Sequence, residues 1–265
     1  MTNSKPWWST QIVSSSVDEI SICGYPVDEL IGEVSYAEML WLAVHQQLPD
    51  PGAARLLDAV LVGGADFGPH APSIAAARMA ATCGVPMNGV MATGMGMLGD
   101  VHGGAIEQCG ELLLQIREAG GDRRAALQLI RPIIGAGRYI PGFGHRFFKE
   151  KDPRAAKMKD LVEAARDSQV ISGWTVPLLA SLEEAIHEVL KQSLPINLDG
   201  MSAAILVELG FPVASFRGVF CLSRGIGILA EALEEMRSGS RLKGPVPAAG
   251  GHVHYEGPST RHLRD

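Results

Sequence analysis

The first 35 residues mix short apolar and polar runs with turn signals, and QIVSSS and EISICGY read as β-like stretches. After them the helical period takes over. Ser35-Tyr36-Ala37-Glu38 has capping-box spacing: the serine hydroxyl accepts from an early backbone N–H and Glu38 reaches back. The helix SYAEMLWLAVHQQL follows and stops before Pro49 and Pro51. AARLLDAVLVGG ends at Gly63-Gly64, and APSIAAARMAATCG is rich in small residues that allow close approach to a neighbour. HGGAIEQCGELLLQIREAGG ends on two glycines, as a C-cap favours, and RRAALQLIRPIIGAG is a further helical stretch. Asp152 caps DPRAAKMKDLVEAARD, where Pro153 at the first helical position forfeits no hydrogen bond. VPLLASLEEAIHEVLKQ, DGMSAAILVELG and FRGVFCLSRGIGILAEALEEMR complete about nine helices without a convincing interior strand, so the fold class is all-α. The tail SRLKGPVPAAGGHVHYEGPSTRHLRD reads as an extended arm of the kind that docks on a partner subunit.

Composition narrows the class. The chain has 265 residues, 46% apolar and 20% charged, with mean hydropathy +0.12, which excludes a disordered or fibrous protein. It is long enough for one large or two small domains. The net charge of −6, from 29 acids and 23 bases, argues against a nucleic-acid coat. An anionic ligand must therefore meet a local basic site rather than a global field. Cys23, Cys83, Cys109 and Cys221 form no C-x-x-C pair, so neither a disulfide framework nor a metal site is expected. The start lacks the apolar core of a signal peptide, and no run of about 18 apolar residues is present. The expectation is a soluble cytoplasmic protein with no membrane partner.

Gly94-Met95-Gly96-Met97-Leu98-Gly99 matches G-x-G-x-x-G, but no strand precedes it and helices surround it. A dinucleotide site needs that strand, so a turn where helices pack is the preferred reading. Three other segments each set one proton-handling side chain among small or turn-forming residues: Gly99 to Ala105 with His102, Pro141 to Arg146 with His145, and Pro195 to Gly200 with Asp199. Each lies at or just before a helix start, where free N–H groups favour anions. Singly, His102 reads as a cap, His145 as a surface residue and Asp199 as an N-cap. Together, two histidines and a carboxylate suit metal-free proton movement on carbon and oxygen. Arg154 and Arg224 supply positive charge, and Arg224, set among apolar and small residues, needs an anionic partner: an internal glutamate or a substrate carboxylate.

From Ile22 to Tyr255 the chain resembles the citrate synthases, especially short citryl-CoA lyases and the citrate-synthase-like module of ATP citrate lyase. The resemblance rests on GYPVDELIGEVSYAEMLWLAVHQQLP, VHGGA, PGFGHRFFKEKDPRA and INLDG, in that order. It implies an all-α fold with a large domain (1–103 and 206–265), a small domain (104–205) and the active site in the cleft. Closure would exclude water. It implies a homodimer or higher homo-oligomer.

The resemblance assigns roles residue by residue. Asp199 exchanges a proton with the methyl carbon of acetyl-CoA. His102 holds the thioester enol oxygen. His145 polarises the keto carbonyl of oxaloacetate and gives or takes the alcohol proton. Arg154 and Arg224 clamp carboxylates, where a bidentate fork exceeds a lysine point charge. Arg241 matches an arginine from the neighbouring subunit. Pro141, Gly142, Phe143 and Gly144 match the stretch whose backbone meets the adenine end of CoA, with Arg146, Lys149 and Lys191 as phosphate partners. No permanent cofactor is implied; the coenzyme A thioester is a substrate, alongside di- and tricarboxylates.

Two departures shape the expectation. The chain is much shorter than a full citrate synthase, which favours the lyase branch. Phe67 stands where the family carries a substrate-binding histidine, and a phenyl ring donates no hydrogen bond. His70 is the candidate stand-in. The expected reaction is reversible cleavage of citryl-CoA to acetyl-CoA and oxaloacetate. The alternatives are a citrate synthase that also hydrolyses the thioester, a relative using another 2-keto acid, and a catalytically silent regulator that binds CoA thioesters.

Overall fold

The computed structural model describes residues 6–247 and 253–261, so parts of the predicted tail lie outside the described residues. In chain order the elements begin with β1 (Val13–Ser15), β2 (Ile20–Ile22), β3 (Tyr25–Pro26), α1 (Val27–Leu30), α2 (Tyr36–His45) and α3 (Pro51–Gly63). A 3-10 turn (Gly68–His70) precedes α4 (Pro72–Thr82), α5 (Met87–Gly96), α6 (Ala105–Glu118) and α7 (Arg123–Gly135). Then come α8 (Pro153–Asp167), α9 (Thr175–Leu190), α10 (Leu198–Glu208), a second 3-10 turn (Val213–Ser215) and α11 (Phe216–Arg237). The fold is helical, as expected. Among the described residues one small sheet, an antiparallel β1-β2-β3 meander, uses the two β-like stretches at the start.

Local sequence explains most helix starts. Ser35 Oγ accepts from Glu38 N at 3.2 Å, while Glu38 Oε2 accepts from Ser35 N at 2.7 Å, so both halves of the capping box form. Asp152 caps α8 in front of Pro153, as its position predicts. The departure is α5. Three glycines make Met87–Gly96 a poor helix former, and the sequence reads there as a turn. Tertiary packing overrides that propensity: a Cβ on Gly94 would lie 2.9 Å from Ile228, so the glycine lets α5 close on α11. The G-x-G-x-x-G run is thus the end of a helix with no strand before it.

Contacts divide the chain into two units. The first holds the chain up to Asp66 together with Leu98–Arg224. Its core gathers Leu57, Ile106, Leu113, Ile130, Leu182, Met201 and Phe216, all essentially sealed from solvent. α10 is the central helix, with Met201 to Leu206 buried without interruption, as a helix apolar on all sides must be. Gly110 of α6 admits the Phe216 ring, which would lie 2.5 Å from a Cβ placed there.

The second unit holds Phe67–Met97 and the chain from Gly225 on. Ile74, Ala77, Val90, Ile228 and Ala232 form its core, with Phe67 packed against them. Arg78 pairs with Glu231 and with the fully buried Glu235, which also accepts from Lys243. Leu242 N and Lys243 N donate to Thr82, fixing the start of the tail on α4. These boundaries fall at 66/67, 97/98 and 224/225, whereas the expected division lies at 103/104 and 205/206. The expected division into a large and a small domain returns below as a proposal. By length and composition, 213–237 is apolar enough to cross a membrane. Yet it buries Arg224 and Glu235, each with polar partners, and alternates buried with exposed apolar residues.

Candidate active site

His102 sits in the turn between α5 and α6. Gly99 N donates to His102 O at 2.8 Å, closing the turn. Arg217 pairs with Asp100 at 2.8 Å and with Glu107 at 3.0 Å, fastening the turn to the start of α11. Burial lowers the pKa of His102 below the ordinary imidazole value, and the charges of Arg224 and Arg146 lower it further. His102 is therefore held neutral.

His145 follows the Pro141–Gly144 loop. Its Nδ1 accepts from Phe147 N at 3.1 Å and Phe148 N at 3.2 Å. A nitrogen that accepts two amide protons carries none itself, so the proton of the neutral ring is on Nε2. The ring stacks on Phe148 at 4.6 Å. Burial lowers its pKa, followed by Arg154, with Asp152 pulling the other way and Arg146 and Lys149 lowering it further.

Asp199 lies in the first turn of α10, and the cap of that helix is Asn197: its Oδ1 accepts from Gly200 N at 3.1 Å. The reading of Asp199 as the N-cap is corrected accordingly, and its carboxylate is left to other work. Burial raises the Asp199 pKa above the usual carboxylate range; Arg154 and Arg224 oppose the rise and Asp152 adds to it.

Backbone pairing locks the second and third segments together. Asn197 N donates to Gly142 O at 3.0 Å, and Gly144 N to Pro195 O at 2.8 Å. Asn197 Nδ2 donates to Gly144 O at 2.8 Å. Gly142, at φ +85°, is required twice: its backbone is left-handed, and a Cβ there would meet Cys109 Sγ at 2.6 Å and Gly200 Cα at 2.8 Å. Behind this junction Cys109 is fully buried, and burial with the nearby Asp199 charge pushes its thiol up to about 12. It is inert packing.

The arginines complete the group. Arg224 is buried, donates from Nε to Gly64 O at 2.9 Å and lies 5.0 Å from the Phe220 ring. Burial works against its charge, while Asp66 and then Asp199 support it. Asp66 is thus an acidic neighbour that sequence reasoning passed over. Arg154 donates through Nε and Nη2 to Asp152 at 3.1 and 2.8 Å. The first unit therefore brings His102, His145, Arg154, Asp199 and Arg224 into one electrostatic group: two imidazoles with lowered pKa, a carboxyl with raised pKa and two guanidiniums.

Of the remaining candidates, the Pro141–Gly144 loop, Arg146 and Lys149 adjoin His145, and the others fall elsewhere. His70 is exposed on the 3-10 turn of the second unit, and Arg241 is exposed after α11 in that unit. Pro141 is half-buried and Gly142 and Phe143 are buried, with the Phe143 side chain in the core. The Gly142 carbonyl and the Phe143 and Gly144 amides already bond within the protein, which restricts what that backbone can offer a ligand. Arg146, Lys149 and Lys191 are exposed. Lys149 borders a hollow lined by Arg123 and His187 as well as by Glu150, Glu183, Glu184 and Glu188. Lys191 is the left-handed C-cap of α9. Among the described residues, no group of three or more His, Cys, Asp or Glu could hold a metal ion.

Residues 31–245 match the family described as "Citrate synthase, C-terminal domain". Citrate synthase from Saccharolobus solfataricus is 29% identical over 212 residues, covering 80% of this chain and 55% of that protein. Citrate synthase from Synechocystis sp. is 30% identical over 210 residues, covering 77% and 50%. The chain spans about half the length of these curated relatives. The solved citryl-CoA lyase of Hydrogenobacter thermophilus aligns with a TM-score of 0.86 at 29% identity, covering 97% of this chain and 98% of that one. ATP citrate lyase from Methanothrix soehngenii, solved with citrate and coenzyme A, shares the fold: TM-score 0.80, 21% identity, 97% of this chain and 43% of that one.

Proposed function

Because the chain belongs to the citrate synthase family, we propose that it is an enzyme of the citryl-CoA lyase type, interconverting citryl-CoA with acetyl-CoA and oxaloacetate. One observation carries the reading: His102, His145 and Asp199 stand with Arg154 and Arg224 in a single charge-coupled group. Such a group matches what a Claisen-type reaction on two anionic substrates needs without a metal.

In the condensation direction ionised Asp199 removes a methyl proton from acetyl-CoA. The carbonyl becomes an enol(ate) oxygen, and neutral His102 stabilises it by hydrogen bonding. The enol carbon attacks the keto carbon of oxaloacetate, whose oxygen takes the Nε2 proton of His145. The two amide donors on Nδ1 make release of that proton less costly, since they stabilise the ring that has lost it. Arg154 and Arg224 bind the carboxylates. Cleavage reverses each step from the state that condensation leaves: the deprotonated Nε2 takes back the alcohol proton, the C–C bond breaks and protonated Asp199 returns its proton to carbon. The raised Asp199 pKa favours the protonated form that cleavage requires.

The proposal includes closure of residues 104–205 against the rest, assembly as a homodimer with Arg241 reaching a neighbouring site, and a cytoplasmic location. Purified protein given citryl-CoA should yield acetyl-CoA and oxaloacetate by mass spectrometry; no turnover refutes the reading. The second reading, a citrate synthase, is favoured by the curated relatives. It predicts free CoA and citrate from acetyl-CoA and oxaloacetate. Phe67, packed into the second unit's core, favours a variant for another 2-keto acid, which a panel of keto acids on wild type and Phe67→His separates.

A further inference from the structure

The sequence reads Asp152 as a helix cap, and it is one, but its carboxylate does more. It is only 1% exposed and accepts four hydrogen bonds. Oδ1 takes Arg154 N at 3.0 Å and Arg154 Nε at 3.1 Å; Oδ2 takes Arg154 Nη2 at 2.8 Å and Leu198 N at 3.1 Å. The last donor comes from 46 residues away and is the first residue of α10, next to Asp199. A two-point bond to Nε and Nη2 fixes the guanidinium plane, which one bond does not. That plane lies 5.6 Å from the Phe148 ring, which stacks on His145 at 4.6 Å. One carboxylate therefore touches the frame of three candidate groups: Arg154 directly, Asp199 through the Leu198 amide, and His145 through Arg154 and Phe148.

We propose that Asp152 is a positioning residue that registers Arg154 against the first turn of α10, so that the carboxylate clamp and Asp199 are held as one rigid piece. The inference deepens the proposed lyase-type function and rests on it. Plain capping needs only the Arg154 N bond, and α8 already has Pro153 at its first position. The fork to Arg154 and the bond to Leu198 serve nothing in α8 itself. Burial opposes ionisation of Asp152, yet the Arg154 bonds and charge, with the Leu198 amide, hold its carboxyl below the usual range. The group is thus an anion, as the fork requires.

The test is a double-mutant cycle on the full chain, with steady-state turnover of citryl-CoA and denaturant stability read in parallel. Asp152→Asn should raise KM about 10-fold through a loosened Arg154 and lower kcat about 10-fold through Asp199, since small misplacements near reacting atoms are costly. Arg154→Ala should raise KM at least as far. In the Arg154→Ala background, Asp152→Asn should leave KM within about 2-fold while kcat still falls, because the clamp it aimed is gone. Asp152→Glu keeps the charge but shifts it by a methylene, and gives the same KM and kcat split if the asparagine variant fails to fold. Effects on KM that multiply fully in the double variant, or a wild-type KM and kcat in both Asp152 variants, overturn the positioning role alone. An Arg154→Ala enzyme with wild-type KM, or a wild type that does not turn over citryl-CoA, overturns the functional reading and this inference with it.

Discussion

Asn197 ties together two loops that the sequence separates by 53 residues, and the strength of that tie can be worked out. Its side chain does two jobs: Oδ1 caps α10 by accepting from Gly200 N, and Nδ2 donates to Gly144 O beside His145. Asn197→Ser keeps a capping oxygen but removes the donor, stranding a carbonyl in a half-buried loop at about 1–2 kcal/mol. Asn197→Ala removes both and should cost about 2–3 kcal/mol, the cap supplying about 1 kcal/mol of it. All four tryptophans, Trp7, Trp8, Trp41 and Trp174, lie in the first unit, so urea unfolding followed by their fluorescence reads the affected unit. The serine variant should also lose about 10-fold or more in kcat on citryl-CoA, because Asn197 sets His145 against Asp199. A serine variant within about 0.3 kcal/mol of wild type with full turnover would falsify the tether, since that is the scale on which unlinked changes add.

Other outcomes follow from the same geometry. Asp199→Asn should abolish turnover and make the fold more stable at neutral pH. A carboxyl whose pKa is raised on folding lowers stability above that folded value, and denaturant midpoints at pH 7 and pH 4 should show the gain shrinking at the lower pH. His102 and His145 have lowered values, so the folded state binds fewer protons than the unfolded one. Stability should be fully present above the ordinary imidazole value near 6.5 and fall as pH drops through and below it, less so in a His102→Gln variant. Unchanged midpoints across that window would count against burial of the two rings. Gly110→Ala should cost about 1–3 kcal/mol by overpacking Phe216, and adding Phe216→Leu should recover part of it.

Much of the architecture was legible in the chain itself. Periodicity and punctuation located nine of the helices, Ser35 and Asp152 marked two starts by cap chemistry, and the three short motifs named His102, His145 and Asp199 as one set. α5 was not legible, because its glycines oppose helix locally and only packing against Ile228 makes them useful. The double duty of Asn197 and Asp152 was not legible either. Asp152 reads as an ordinary cap, the capping of α10 reads as the work of Asp199 rather than Asn197, and the second partners of Asn197 and Asp152 lie some 50 residues away, at Gly144 and Leu198.

Local chemistry along the chain therefore determined which segments are helical, where several of them begin, and which side chains can move protons or hold anions. Tertiary structure alone decided how those groups act on one another. Burial lowers the pKa of the two histidines and raises that of Asp199, two backbone amides set the tautomer of His145, and Asp66 and Asp199 support the buried Arg224. Helix caps depend on neighbours a few residues away, which a linear sequence displays. Dielectric surroundings and the orientation of charges depend on neighbours brought together only when the core closes, and no local pattern encodes them.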